Sequence, residues 1–263
     1  MKLVSKDHGK FRANIPEQTG IFPIMLRIPS GGRKGFWDFA GLGTGFFVSK
    51  FGLFITAKHV VVEDIQFQEG RGLEVWIIVN GNNFTCPIRD IQLHPTADIA
   101  IGVIVPPRKN DLLLPKSVFT ISLCNVSRNK PSAGAEVYSY GYPRTSLKNC
   151  ENDPDTVVID MQPDYYTGKI DGYHKDGVSI CTWPVYRHSM PTASGMSGGS
   201  LFLKNNSAVI GVNCTGDSTS SEDISYGTAT DVKLALDMII SSEIPGYKGK
   251  ILYELLQDEV ILI

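Results

Sequence analysis

Apolar residues in this chain come in many short runs, and that feature limits its fold more than any other. The runs at 21–28, 42–49, 53–57, 73–79, 84–93 and 98–105 are separated by turn signals such as Ser30-Gly31-Gly32 and Asn80-Gly81-Asn82. That spacing predicts an antiparallel barrel or sandwich rather than a parallel α/β sheet. Pro106-Pro107-Arg108-Lys109-Asn110-Asp111 breaks the pattern and reads as a linker. A second set follows at 135–140, 156–161, 165–170, 178–182, 200–204, 208–213 and 226–229, with 147–154 and 217–223 read as exposed loops. From Asp231 the period changes: Val232, Ala235, Leu236, Ile239 and Ile240 recur at helical spacing until Pro245-Gly246. The expected organisation is a polar arm over 1–20, a β unit over 21–110, a second over 111–230, and a helix with an apolar tail over 231–263.

The totals exclude several classes. A chain of 263 residues with 42% hydrophobic and 20% charged residues is ordinary for a globular protein, and its net charge of −2 gives no basis for nucleic-acid binding. No apolar run is long enough to span a membrane. The first residues lack the apolar stretch of a signal peptide, so a cytoplasmic location is expected. The cysteines, Cys86, Cys124, Cys150, Cys181 and Cys214, are odd in number and include no C-x-x-C pair; reduced thiols are expected. No Cys/His cluster has zinc spacing, so neither a metal nor another cofactor is expected.

Three segments carry chemistry. Gly195-Met196-Ser197-Gly198-Gly199 offers a serine on a glycine-rich turn, Thr56-Ala57-Lys58-His59 a histidine, and Ala97-Asp98-Ile99-Ala100 a carboxylate in an apolar setting. A hydroxyl becomes a nucleophile when an imidazole takes its proton, and the imidazole needs an acid to fix its tautomer. The order of the residues decides between readings. Gly195 to Gly199 also fits the nucleophile elbow of α/β-hydrolases, but there the histidine follows the serine, and all five histidines here precede Ser197. The subtilisin order needs an aspartate before the histidine, and neither Asp7 nor Asp38 has a buried-strand setting. The order His59, Asp98, Ser197 remains, with His94 and Asp90 as the rival base and acid.

On these residues the chain resembles the trypsin-like serine proteases. Leu53 to Val60 is similar to the segment that presents the base, His94-Pro95-Thr96-Ala97-Asp98-Ile99-Ala100-Ile101 to the segment carrying the acid, and Gly195 to Gly199 to the nucleophile turn. Val209 to Gly216 is similar to the strand lining the substrate cleft. The resemblance implies two six-stranded antiparallel barrels with a terminal helix, and an endopeptidase acting on protein or peptide substrates through an acyl-enzyme. It assigns His59 as base, Asp98 as orienter, Ser197 as nucleophile, and the N–H groups of Gly195 and Ser197 as the oxyanion hole.

The resemblance places Pro191 and Thr192 at the base of the specificity pocket. One wall is Asn213, Cys214, Thr215 and Gly216; the other is Tyr226, Gly227 and Thr228. No acid stands at Pro191, so a small or uncharged side chain is expected ahead of the scissile bond, with Thr192 and Asn213 able to hydrogen-bond a polar one. Met196 stands where many relatives carry an aspartate that pairs with a newly cut N-terminus, so activation by such cutting is not implied. The same residues also allow an inactive protease-fold binding module, or an esterase or acyltransferase. The N-terminal arm and the apolar tail are candidate partner contacts.

Overall fold

The computed structural model describes residues 20–29, 37–65, 71–79, 82–104, 108–109, 112–113, 123–150, 153–217, 226–241 and 247–257. Strands β1 (Ile21–Pro29), β2 (Trp37–Phe47), β3 (Leu53–Thr56), β4 (Gly72–Val79), β5 (Asn82–Leu93) and β6 (Ala100–Ile104) close into a barrel in the order β1-β2-β3-β6-β5-β4. A short ribbon pairs β7 (Arg108–Lys109), within the expected linker, with β8 (Leu112–Leu113), just after it. Then β9 (Glu136–Cys150), β10 (Asp153–His174), β11 (Val185–His188), β12 (Ser200–Leu203), β13 (Val209–Asp217) and β14 (Tyr226–Asp231) close a second barrel, ordered β10-β11-β14-β13-β12-β9. Pairing within both barrels is antiparallel. The expected all-β architecture of two six-stranded barrels is the one the chain adopts.

Apolar side chains fill both interiors and continue between them. Phe22 packs on Phe47 and Phe54 with ring centroids 4.2 and 5.3 Å apart. The core that holds these rings also takes in Tyr140, Phe202, Val209 and Val212 of the second barrel. A smaller cluster of Val137, Ile170, Tyr186, Leu201 and Ile210 fills the rest of that barrel. Two closed barrels that share a core form a rigid seam, and the functional segments lie along it.

Local departures from the sequence expectation have local causes. Residues 58–65, outside the apolar runs read as strands, form a helix, α1 (Lys58–Ile65), despite the β propensity of Val60-Val61-Val62. Burial of Val60 and Val61 and a cap from Asp98, described below, override that propensity. The stretch 178–182 makes turns with a single bridge between Val178 and Cys181, and the strand is β11 instead. Gly177 and Ser179 adopt positive φ there (86° and 56°), which an extended strand does not allow. The expected loop over 147–154 is shortened, because β9 runs to Cys150 and β10 restarts at Asp153.

The helical period after Asp231 yields one short helix, α2 (Lys233–Leu236), started by Asp231 Oδ1, which accepts from the Lys233 N–H at 3.0 Å. The chain then turns back, so that Ile239 bridges to Ile251 and α3 (Leu252–Gln257) follows. Val232, Leu236, Leu252, Leu255 and Leu256 all enter the shared core, so the first half of the apolar tail packs on its own molecule. Residues 258–263 and the arm to residue 19 lie outside the described residues. No helix among the described residues is long and apolar enough to cross a membrane.

Candidate active site

The nucleophile turn is shaped by two glycines and tied to the first barrel. Gly195 and Gly198 have φ of +88° and +81°, open to glycine at little cost. Gly198 donates to Asn213 O at 2.8 Å, and Asn213 N donates back to Gly199 O at 2.8 Å, which fixes the turn to β13. Thr44 of β2 holds the other side: its N–H donates to Ser197 O (2.8 Å) and its hydroxyl to Gly195 O (2.7 Å). Thr44 Oγ1 in turn accepts from Tyr142 N at 3.1 Å, and Thr44 O accepts from Thr56 Oγ1 at 2.8 Å. Thr44 and Thr56 are fully buried. Sequence reasoning missed Thr44; its only signal was a polar residue between Gly43 and Gly45 in an otherwise apolar strand.

The bracing uses the carbonyls of Gly195 and Ser197 and the amide of Gly198. Among the described residues, nothing accepts a hydrogen bond from the N–H of Gly195 or Ser197. The Ser197 hydroxyl donates to Cys214 O at 3.4 Å, a long and weak contact. A Cβ on Gly198 would overlap Thr56 Oγ1 and Thr44 O, and the positive φ would add backbone strain. Gly198→Ala is therefore expected to destabilise the fold by about 2–5 kcal/mol, measured by urea unfolding.

The histidine and the carboxylate meet across the first barrel. Asp98, on the turn before β6, receives two bonds from His59 at the start of α1. Its Oδ1 accepts from the His59 backbone N–H at 2.9 Å, and its Oδ2 lies 2.7 Å from His59 Nδ1. The first bond caps the helix and the second orients the ring, so one carboxylate sets both the backbone and the side chain of His59. The imidazole is 42% exposed and the carboxyl 12%. The imidazole is thus partly open to solvent while the acid is mostly sheltered.

His94 has another position. Its Nδ1 accepts from the backbone N–H groups of Ala97 (2.9 Å) and Thr96 (3.3 Å), and burial followed by the Lys58 charge lowers its pKa. It pins the turn that carries Asp98. Asp90 lies in β5 opposite Val103; the carboxylate at His59 is that of Asp98.

The expected pocket residues divide. Pro191 is exposed and Thr192 half-buried on the loop leading to the turn. Gly216 and Gly227 pair across β13 and β14, and Thr215 pairs with Thr228. Tyr226 is half-buried beneath the Arg187 guanidinium, 4.5 Å from its ring centroid. Asn213 is 4% exposed; its Nδ2 donates to Ser139 Oγ inside the second barrel, and its Oδ1 has no hydrogen-bond partner among the described residues. A strand residue next to a bulge has its face set by the bulge, here between Asn213 and Thr215.

Cys214 buries its thiol 3.9 Å from Cys181 Sγ and 3.4 Å from Thr228 Oγ1, and contributes its carbonyl to Ser197. The hydrogen bond to Cys214, together with burial, raises the Cys181 pKa. Cys86, Cys124, Cys181 and Cys214 are free and buried. No group of three or more metal-ligating side chains occurs among the described residues.

His188, on β11, went unnoticed in the sequence. It is 1% exposed, and burial lowers its pKa to about 4. Unfolded, it would titrate near its ordinary value of 6.5, so as the pH falls the unfolded chain takes up the proton first. The stability this residue contributes is complete above 6.5 and is lost as the pH falls towards about 4. Urea unfolding of wild type should show about 2 kcal/mol more loss between roughly pH 7.5 and pH 5 than His188→Leu.

Two closed barrels meeting at a histidine–aspartate pair and a glycine-braced serine define a chymotrypsin-like protease fold. Residues 43–212 match the trypsin-like peptidase domain, and the chain belongs to that family. Among solved structures it is similar to Deg5, with 17% identity over 82% of this chain and 85% of that one and a TM-score of 0.55. It is also similar to the MamO protease domain from Magnetospirillum magneticum in its apo form: 13% identity, 82% and 93% coverage, TM-score 0.52. These likenesses are likenesses of fold. No curated protein matches the sequence.

Proposed function

We propose that the protein is a serine endopeptidase in which Ser197 attacks the scissile carbonyl, His59 carries the proton and Asp98 orients His59. The observation that supports this best is the double hydrogen bond from His59 to Asp98, 2.9 Å from the backbone and 2.7 Å from Nδ1. With Nδ1–H directed at the carboxylate, the other ring nitrogen is left basic and able to accept the Ser197 proton. To give it up, Ser197 Oγ exchanges its weak bond to Cys214 O for one to His59 Nε2, a tightening that substrate binding commonly brings.

The tetrahedral oxyanion then takes the N–H groups of Gly195 and Ser197. A preorganised donor of this kind lowers the barrier by about 2.7–4 kcal/mol. The imidazolium, stabilised by Asp98, protonates the leaving amine, and water entering by the same route releases the acyl group. No cofactor takes part.

Protein substrates follow from the peptidase family, and a cytoplasmic location remains part of the proposal. The test is hydrolysis of unfolded casein together with a matched peptide amide and ester. Cleavage of protein and amide supports the endopeptidase. Turnover of the ester alone would make it an esterase.

A further inference from the structure

The second barrel presents a row of three directly paired residues: Gly216 on β13, Gly227 on β14 and His188 on β11. Directly paired residues of an antiparallel sheet share a face. The first two lack side chains, so along this row the only side chain is the imidazole at its far end. A Cβ on Gly227 would overlap the His188 ring and lie 2.6 Å from Thr192 Cγ2. The ring therefore sits over Gly227 and beside Thr192, the loop residue that leads to Ser197. The near end of the row is β13, where Cys214 O accepts from the Ser197 hydroxyl.

His188 is 1% exposed, yet neither ring nitrogen has a hydrogen-bond partner among the described residues. The backbone of His188 and Met190 acts on the ring, raising its pKa against the larger effect of burial. Buried polar groups are almost always satisfied, and those left open are commonly completed by something that binds. Burial keeps the ring neutral, as its lowered pKa records, so it presents one donor and one acceptor.

We propose that His188 is the floor of the pocket for the substrate residue on the acyl side of the scissile bond, and that it selects glutamine. The proposal rests on the endopeptidase reading and specifies its substrate. A carboxamide offers an acceptor and a donor to a ring that lacks both partners. Lys and Arg offer donors alone, and Glu brings a charge that must lose its water against an uncharged imidazole. Reach favours glutamine over shorter amides and hydroxyls, because two strand spacings, roughly 9–10 Å, separate β13 from β11. Gly227 makes room for the ring, and Thr192 flanks it.

The test uses four peptide anilides that differ only in this residue: Gln, Glu, Leu and Lys. Wild type should favour Gln over the similarly sized Leu by roughly tenfold to a hundredfold in kcat/KM. His188→Leu should reverse that order. Gly227→Ala, which displaces the ring, should lower the same ratio if His188→Leu does not fold. Equal or better cleavage after Leu or Lys by wild type overturns the proposal, as does a Gln/Leu ratio unmoved by either variant. A fluorophosphonate adduct on wild type separates the two failures. With an adduct at Ser197 and no preference for Gln, this proposal alone fails; with no adduct, the endopeptidase reading fails and takes it along.

Discussion

Ser197→Ala is expected to lower kcat for peptide hydrolysis by about a million-fold, to the residual rate that binding and an oxyanion hole sustain alone. The size of the effect follows from the division of labour in the site. Without Oγ there is no atom to form the acyl-enzyme, and the His59–Asp98 pair has no alcohol to activate. The turn itself is held by backbone bonds from Thr44 N to Ser197 O and from Gly198 N to Asn213 O, neither of which uses the lost hydroxyl. The hydroxyl's own bond, to Cys214 O, is 3.4 Å long. Unfolding by urea should therefore match wild type within about 0.5 kcal/mol. Loss of activity together with loss of stability would instead mean that Ser197 serves structure.

Asp98→Asn should lower kcat by about ten-thousand-fold. The side chain keeps its shape, and its oxygen can still accept from the His59 backbone N–H that Asp98 Oδ1 now holds at 2.9 Å. Facing Nδ1, however, the amide presents a nitrogen that donates. The ring then adopts the tautomer with its proton on Nε2, where the Ser197 proton would have to go. Helix α1 should persist, because its cap is the oxygen that remains. Kinetics and unfolding of this variant together separate a positioning carboxylate from one that only caps the helix. If kcat fell by less than about tenfold, Asp98 would not be orienting the base.

How much of this was legible in the sequence depended on whether a residue's role was local. The strands could be read because each is a short apolar run between turns, and the order of His59, Asp98 and Ser197 selected one chain topology among three. The glycine turn was readable because positive φ favours glycine whatever surrounds it. Thr44 was not, since a buried hydroxyl that joins two barrels looks like any strand threonine until the barrels are closed.

Helix α1 was hidden by Val60-Val61-Val62, whose strand preference is overridden by burial and by a cap supplied 39 residues later. The period after Asp231 was real, but it marked residues facing a core, and the chain meets that core with one helical turn, a reversal and a second helix. Asn213 and Cys214 were placed at the pocket by resemblance; both side chains are buried beside the register shift between Asn213 and Thr215, a feature that short-range sequence pattern does not signal. His188 gave no sequence signal because its isolation comes entirely from the strands around it.

The central claim is that His59 and Asp98 activate Ser197, and active-site labelling with a fluorophosphonate tests it most directly. Intact mass and peptide mapping should find one adduct, on Ser197 in wild type, absent from Ser197→Ala and strongly slowed in Asp98→Asn. A folded wild-type protein that takes up no label, or one labelled at another serine, would contradict it.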